Sequence, residues 1–189
     1  AACIVATGDA DAMVTGTTRN YYASLKDIKR VIAIEKEKIL FGLSIMITRT
    51  RTLFIADSTV IHTPTSEQLA DIAVQAANEA KGLGHTPRVA LLSFANFGNP
   101  TMTGTERIHE AKEILNKRKV DFEYDGEMSA DVALNKELLE LYPFSGLSEP
   151  ANILIMPGLH SANIAAKLLG QVGGGQVLGP LLTGFSKPI

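Results

Sequence analysis

Short apolar runs recur along this chain and alternate with segments of helical period. Val89 to Leu92 is one such run and reads as a buried strand. It ends abruptly in Ser93-Phe94-Ala95-Asn96-Phe97-Gly98-Asn99-Pro100. The spacing then predicts a helix from Thr103 or Gly104, with Ile108, Ala111, Ile114 and Leu115 on one face. Ile153 to Met156 repeats the theme, followed by a helix over 161–169. Between them, Phe122-Glu123-Tyr124-Asp125 is a strand that Gly126 is expected to break, and 128–141 is helical. Residues 142–150 form a loop with two prolines.

The first third carries a different arrangement. Residues 1–7 look like the last turns of a helix, and Ala12-Met13-Val14 like a short buried strand. Ser24 is the expected N-cap of the next helix, with Asp27 as its capping-box partner and Ile28, Val31 and Ile32 on its apolar face. Strands over 41–48 and 53–61, joined by Arg49-Thr50-Arg51, predict an antiparallel hairpin, with Phe41, Leu43, Ile45 and Ile47 on one face. Thr63-Pro64-Thr65-Ser66-Glu67 is a helix start, and Leu69, Ile72, Ala73, Ala76 and Ala80 are its buried stripe, closed by Gly82 or Gly84. Near the end, Gly173-Gly174-Gly175 reads as a turn, and Val177-Leu178 leads into Gly179-Pro180. Alternating strands and helices predict an α/β/α sandwich, mostly parallel, with the hairpin as an antiparallel addition. In such sheets ligands sit beyond the carboxyl ends of strands, here the loops 15–20, 93–104, 125–127 and 157–163.

Composition narrows this only modestly. At 189 residues with 46% apolar content and a net charge of −2, the chain can bury one good core. Lys and Arg are massed nowhere, so nucleic acid is not an expected partner. No apolar run approaches the ~20 residues of a membrane span. Cys3 is alone and expected to pack, which excludes a disulfide framework and makes the cytoplasm the default compartment. The chain has no initiator Met and no closing element after Phe185, so a piece of a longer polypeptide is expected.

Three stretches carry candidate chemistry. The loop after Leu92 and the helix start behind it would attract an anion through free N–H groups and the helix dipole, or be an ordinary βα connection. Asp125, Glu127 and Asp131 at a strand end would serve acid–base chemistry or a metal, or else lie at the positive end of a capped helix. Arg19 and Lys26 flank a loop with Gly16 and would hold a phosphate or carboxylate, or be solvated. His62, His85, His109 and His160 are scattered without ligand spacing, and no phosphate-loop, HExxH or dinucleotide fingerprint is present.

Six motifs in order give a resemblance. GDADAMVTG at 8–16, LFIADS at 53–58, LLSFANFG at 91–98, DGEMSAD at 125–131, ANILIMPGLHSANIAAKLL at 151–169 and GPLLTGFSKPI at 179–189 resemble phosphate acetyltransferases. The details Thr17-Thr18-Arg19-Asn20-Tyr21, Ser93 to Gly98 and Glu127-Met128 look most like the C-terminal phosphotransacetylase-like domain of bacterial NADP-dependent malic enzymes. The resemblance implies the two-lobed α/β type shared with isocitrate and isopropylmalate dehydrogenases, with acetyl-CoA or CoA between the lobes. Residues 1–189 would form the central lobe and edges of the larger one.

It also implies departures from the active enzymes. They carry an Asn-Asp-Leu-Ser-Arg-Gly segment after Lys-Pro-Ile, and this sequence ends at Ile189. They have small hydroxyl residues where Tyr21 and Tyr22 stand, and an Arg where Lys26 stands. Lysine lacks the planar fork of arginine. The expectation is therefore an acetyl-CoA-responsive regulatory and oligomerisation domain of a malic enzyme. The parent would convert malate to pyruvate and CO2 with NADP and Mg or Mn bound elsewhere. The alternatives are an active phosphate acetyltransferase or a pure oligomerisation module. No residue here is expected to be catalytic or to bind metal. Arg19, Asn20, Lys26, Ser93, Asn96, Gly98, Asn99 and Asn163 are the expected contacts to acetyl-CoA or phosphate. A homo-oligomer is expected, with the hairpin or its neighbouring helices at the interface and no nucleic-acid or membrane partner.

Overall fold

The chain runs α1 (Ala2–Thr7), α2 (Tyr21–Lys29), β1 (Phe41–Ile47), β2 (Thr52–Ala56), α3 (Ser66–Gly82), β3 (Arg88–Leu92), α4 (Glu106–Arg118), β4 (Glu123–Met128), α5 (Ala130–Leu134), α6 (Lys136–Leu139), β5 (Ile153–Ile155), α7 (Leu159–Val172) and β6 (Gln176–Thr183). The computed structural model describes residues 1–16, 18–99 and 104–189, so the expectations placed on Thr17, Pro100 and Thr103 lie outside it. The described strands form one sheet in the order β4-β3-β5-β2-β1-β6. β4, β3, β5 and β2 pair in parallel, while β1 is antiparallel to both β2 and β6.

Period-two alternation divides the strand residues between two cores. Phe54, Ala56, Val89, Leu91, Ile153 and Ile155 face α3 and α4, where Leu69, Ile72, Ala76, Ile108, Ala111 and Leu115 meet them. Ile55, Ala90, Leu92, Leu154 and Met156 face the other way, against Val132, Leu139, Ala162 and Ala166. Both faces are covered, which is why the central strands are continuously apolar. Fully burying a side chain the size of Phe54 or Ile153 contributes about 1.5–3 kcal/mol. The expected α/β/α sandwich is thus present. A third cluster, Val5, Leu25, Ile28, Ile32, Leu40 and Phe185, gathers α1 and α2 beside the sheet.

Local signals set the helix ends. Thr65 caps α3 by accepting from Gln68 N, and the Gln68 side chain accepts from Thr65 N in return, a complete capping box. The predicted stripe of α3 is buried as expected.

Several expectations are corrected. Ala12-Met13-Val14 is not a strand, and Val14 is 99% exposed. A strand needs a neighbour for its backbone groups, and here Met13 N finds only Pro188 O, at 3.4 Å. Ser24 does not cap α2; it is buried in the second turn, and Asn20 is the cap, accepting from Tyr22 N. Val31 lies past the helix end and is exposed. The hairpin forms, but its second strand stops at Ala56, and both faces of β1 are buried rather than one. Ile47, expected inward, is exposed.

Gly126 does not break β4. It sits inside the strand at φ 153°, where an added Cβ would lie 2.5 Å from Leu91 O, and the β3–β4 register shifts beside it. The glycine permits a bulge and a close backbone approach. Met128 ends that strand, and the predicted helix over 128–141 is two short ones separated at Asn135. Residues 176–183, expected only as a lead-in of Val177-Leu178 into Gly179-Pro180, form the edge strand β6. Cys3 is exposed, because the one buried position of α1 is Val5. No described helix is long and apolar enough to cross a membrane.

Candidate functional site

The parallel strands β2, β3, β4 and β5 deliver four loops to one end of the sheet, where the sequence placed the chemistry. After β2, Asp57 is buried and its carboxylate gathers backbone donors. Oδ1 accepts from Gly42 N at 2.8 Å, Thr59 N at 2.8 Å and Val60 N at 2.9 Å, and Oδ2 from Ile61 N at 2.5 Å. This shapes the turn and presents Ser58, whose hydroxyl donates to Gly42 O and pairs with the Ser44 hydroxyl at 2.9 Å.

The loop after β3 is donor-rich, but six of its seven backbone N–H groups over 93–99 are taken. Ser93 N donates to Met128 O, Asn96 N to Asn99 O, Phe97 N to Glu127 O, and Asn99 N to Asn96 O. Gly98 N donates to Glu127 Oε1 at 3.0 Å, and Ala95 N to Ser93 Oγ at 3.4 Å. The expected cradle of free backbone N–H groups over 93–99 is therefore turned inward, tying this loop to the end of β4. Asn96 Oδ1 accepts from both Ser129 N and Ser129 Oγ, which docks the start of α5 on the same loop.

The acids at 125–131 are three separate devices. Asp125 is buried, ion-paired with Lys112 at 2.5 Å, and accepts from Gly126 N and Gly146 N. Glu127 is wholly buried. Its Oε1 also faces His109 Nε2 at 3.0 Å, while Oε2 has no hydrogen-bond partner among the described residues. Asp131 accepts from the Ser129 hydroxyl, which holds its carboxyl below the usual range. No group of three His, Cys, Asp or Glu side chains among the described residues is arranged to hold a metal.

A cavity of about 530 Å³ opens beside Ser44 and Ser58. Asn163, Ala166 and Lys167 of α7 form one wall, and Val177, Gly179 and Pro180 of β6 another. Asn163 is the one predicted contact that lines it. Lys167 is exposed and has no ion pair among the described residues. Arg19 and Lys26 are exposed, and Arg19 is held by Asp27 at 3.2 Å. Asn20 is spent on its capping bond. The first turn of α2 nonetheless reaches the same region. Tyr21 lies by Asp57 and Thr59, on either side of Ser58. Burial raises the Tyr21 pKa, with Asp57 adding to the effect and a contact to Thr59 opposing it.

The predicted residues thus do not form one site: Asn163 lines the cavity beside Ser58, Arg19, Asn20 and Lys26 belong to α2 and the residues before it, and Ser93, Asn96, Gly98 and Asn99 lie around the end of β4. No hydrogen bond or ion pair among the described residues joins Arg19 or Lys26 to Ser93, Asn96 or Asn99. Sequence reading missed Ser44, Ser58, Lys167 and the Glu127–His109 pair. An acid inside the run Tyr124 to Met128 was the available signal for the last.

The phosphate acetyl/butaryl transferase family model matches residues 1–189. The chain belongs to that family. It is 53% identical over its whole length to an NADP-dependent malic enzyme of Rhizobium meliloti, covering 25% of that protein. It is 39% identical over 201 aligned residues to a phosphate acetyltransferase of Treponema pallidum, covering 60% of it. A phosphotransacetylase structure from Streptococcus pyogenes superposes with a TM-score of 0.90 at 30% identity, over 98% of this chain and 57% of the other. The chain therefore spans about a quarter of the malic enzyme and under two thirds of the acetyltransferases.

Proposed function

We propose that this chain is the acetyl-CoA-responsive regulatory and oligomerisation part of an NADP-dependent malic enzyme. The observation that carries the reading is the 53% identity, end to end, with a malic enzyme of which it covers one quarter. In this reading malate is oxidised and decarboxylated to pyruvate and CO2 on another part of the protein, with NADP and a divalent metal. Residues 1–189 supply the central lobe of a phosphotransacetylase-like domain and edges of its larger lobe.

The cavity between α7 and β6 fits a CoA-type effector. Its volume lies in the range of small-molecule sites, and its walls mix apolar Ala166, Val177 and Pro180 with a few polar groups. Lys167 is a cation for a phosphate, and Asn163, Ser44 and Ser58 orient an amide-rich chain. Arg19, Asn20 and Lys26 approach through the contact of Tyr21 with the 57–59 turn. Ser93 and Asn99 would contribute side chains, and Asn96 its amide nitrogen. Gly98 contributes the open space above its α-carbon.

Titration calorimetry with acetyl-CoA, paired with a thiol-release assay in phosphate, tests the reading. Saturable binding without thiol release is expected, and Asn163→Ala combined with Lys167→Gln should weaken it about tenfold, the cost of a charge-assisted hydrogen bond. Thiol release by the chain would establish a phosphate acetyltransferase instead. Absence of binding would leave an oligomerisation module.

A further inference from the structure

The opposite end of the sheet holds a second built cavity, of about 630 Å³, that shares no wall residue with the one above. It lies where β2, β3 and β5 begin and β1 ends. Arg49 and Arg51 enter it from the hairpin turn, and Arg88 from the first position of β3. His85, Thr48, Thr50, Thr52 and Asn152 add polar atoms, and no Asp or Glu among the described residues lines it.

In a chain of net charge −2, three guanidinium groups around one carboxylate-free hollow create a local positive field. None of the three has an ion pair among the described residues. Nearby acids are engaged elsewhere: Glu149 pairs with Lys136 at 2.5 Å, and Asp131, in an adjoining cavity that also touches Arg51, accepts from Ser129. Two of the guanidinium groups are fixed by the fold. Arg51 donates to Leu134 O at 3.0 Å and Arg88 Nε to Pro150 O at 2.9 Å. Each guanidinium carries five N–H donors, so most are left for a ligand. Asn152 locks the floor, donating from its amide to Thr86 O and accepting from Arg88 N at 2.8 Å. Positioned arginine forks without counter-charge match phosphate oxygens in geometry and sign.

We propose that this cavity binds the phosphate groups of a small phosphorylated ligand. The apolar wall of Leu53, Leu134 and Ala151 leaves room for an organic portion beside a diphosphate.

Calorimetric titration of the chain with inorganic pyrophosphate, and separately with ADP, in a chloride buffer tests this. Saturable one-to-one binding of pyrophosphate is expected. Arg49→Gln combined with Arg51→Gln should weaken it by about tenfold or more, as charge-assisted hydrogen bonds are lost. Both residues are exposed on a turn, so the fold should survive their loss. Lys117→Gln with Lys119→Gln, an exposed pair far along the sequence, should leave the affinity unchanged. Tighter binding of ADP than of pyrophosphate identifies an organic phosphate as the ligand, and equal or weaker binding an inorganic one. No saturable binding of either, or equal loss in the lysine control, overturns the proposal. Acetyl-CoA binding that survives the arginine changes keeps the two sites, and the two readings, separate.

Discussion

Asp57 draws backbone donors from two separate segments to one strand end. Four N–H groups, from Gly42, Thr59, Val60 and Ile61, converge on its two oxygens. Asp57→Ala should lower unfolding free energy by about 3 kcal/mol or more, since several donors lose their acceptor together. Asp57→Asn should recover only part of this, because an amide offers one acceptor oxygen. Urea unfolding with an unchanged m-value checks both. Asp131 makes a pH-dependent contribution of known sign. The Ser129 hydroxyl holds its pKa below the ordinary 3.8. A lowered folded value means stability that is fully present above the unfolded pKa and lost as pH falls through the folded one. Ser129→Ala should move the Asp131 midpoint upward toward its ordinary value, as read from carboxyl carbon shifts in an NMR titration.

Gly126 carries the argument from residue to element. An added Cβ would collide with Leu91 O, and φ 153° disfavours any side chain. Gly126→Ala should therefore cost about 2 kcal/mol of backbone strain and weaken the β3–β4 pairing. Amide exchange of Leu91 and Leu92, faster in the variant, reports it. The sequence marks this glycine but not its role, because a strand bulge and a strand end have the same signature in one dimension. The same limit explains the other differences. Periodicity exposes α3 and β3 because their apolar stripes are long and capped or bounded. The short apolar run Ala12-Met13-Val14 looks equally strand-like, yet pairing requires a partner strand that no local pattern encodes. β6 is hidden because Gly179-Pro180 interrupts residues 176–183, whereas an edge strand tolerates a proline. At the site, the donor-rich loop over 93–99 is legible, but not where its donors point. That depends on Glu127 and Met128, some thirty residues away in sequence on the neighbouring strand β4. The arginine cavity is equally hidden, since Arg88 joins Arg49 and Arg51 only through the β2–β5–β3 order.

At the scale of the whole molecule, the proposed self-association would draw on the exposed apolar surface. The sequence's candidates for it are the hairpin or its neighbouring helices; the helices remain open, while β1 and β2 are interior to the sheet, each paired on both sides. The exposed apolar residues lie next to them instead. Ile164, Leu168 and Val172, four apart on α7, are 56%, 57% and 78% exposed. On the edge strand β6, Val177 is exposed on the same side and packs by Gly170 of α7, while Leu178 and Leu181, paired with Ile45 and Leu43, lie on the other face of the sheet. A helix stripe at i, i+4, i+8 beside an open strand edge gives a second copy both apolar area and unpaired backbone groups to cover. Under the proposed function this face is an interface between copies of the chain. Sedimentation at micromolar concentration should show self-association that rises with concentration. Leu168→Lys should weaken it by about tenfold or more while leaving the far-ultraviolet circular dichroism unchanged, since the residue is exposed and its loss opens no cavity. A species that stays monomeric at every concentration, or association indifferent to Leu168→Lys, would assign this surface to some other covering and remove the oligomerisation part of the reading.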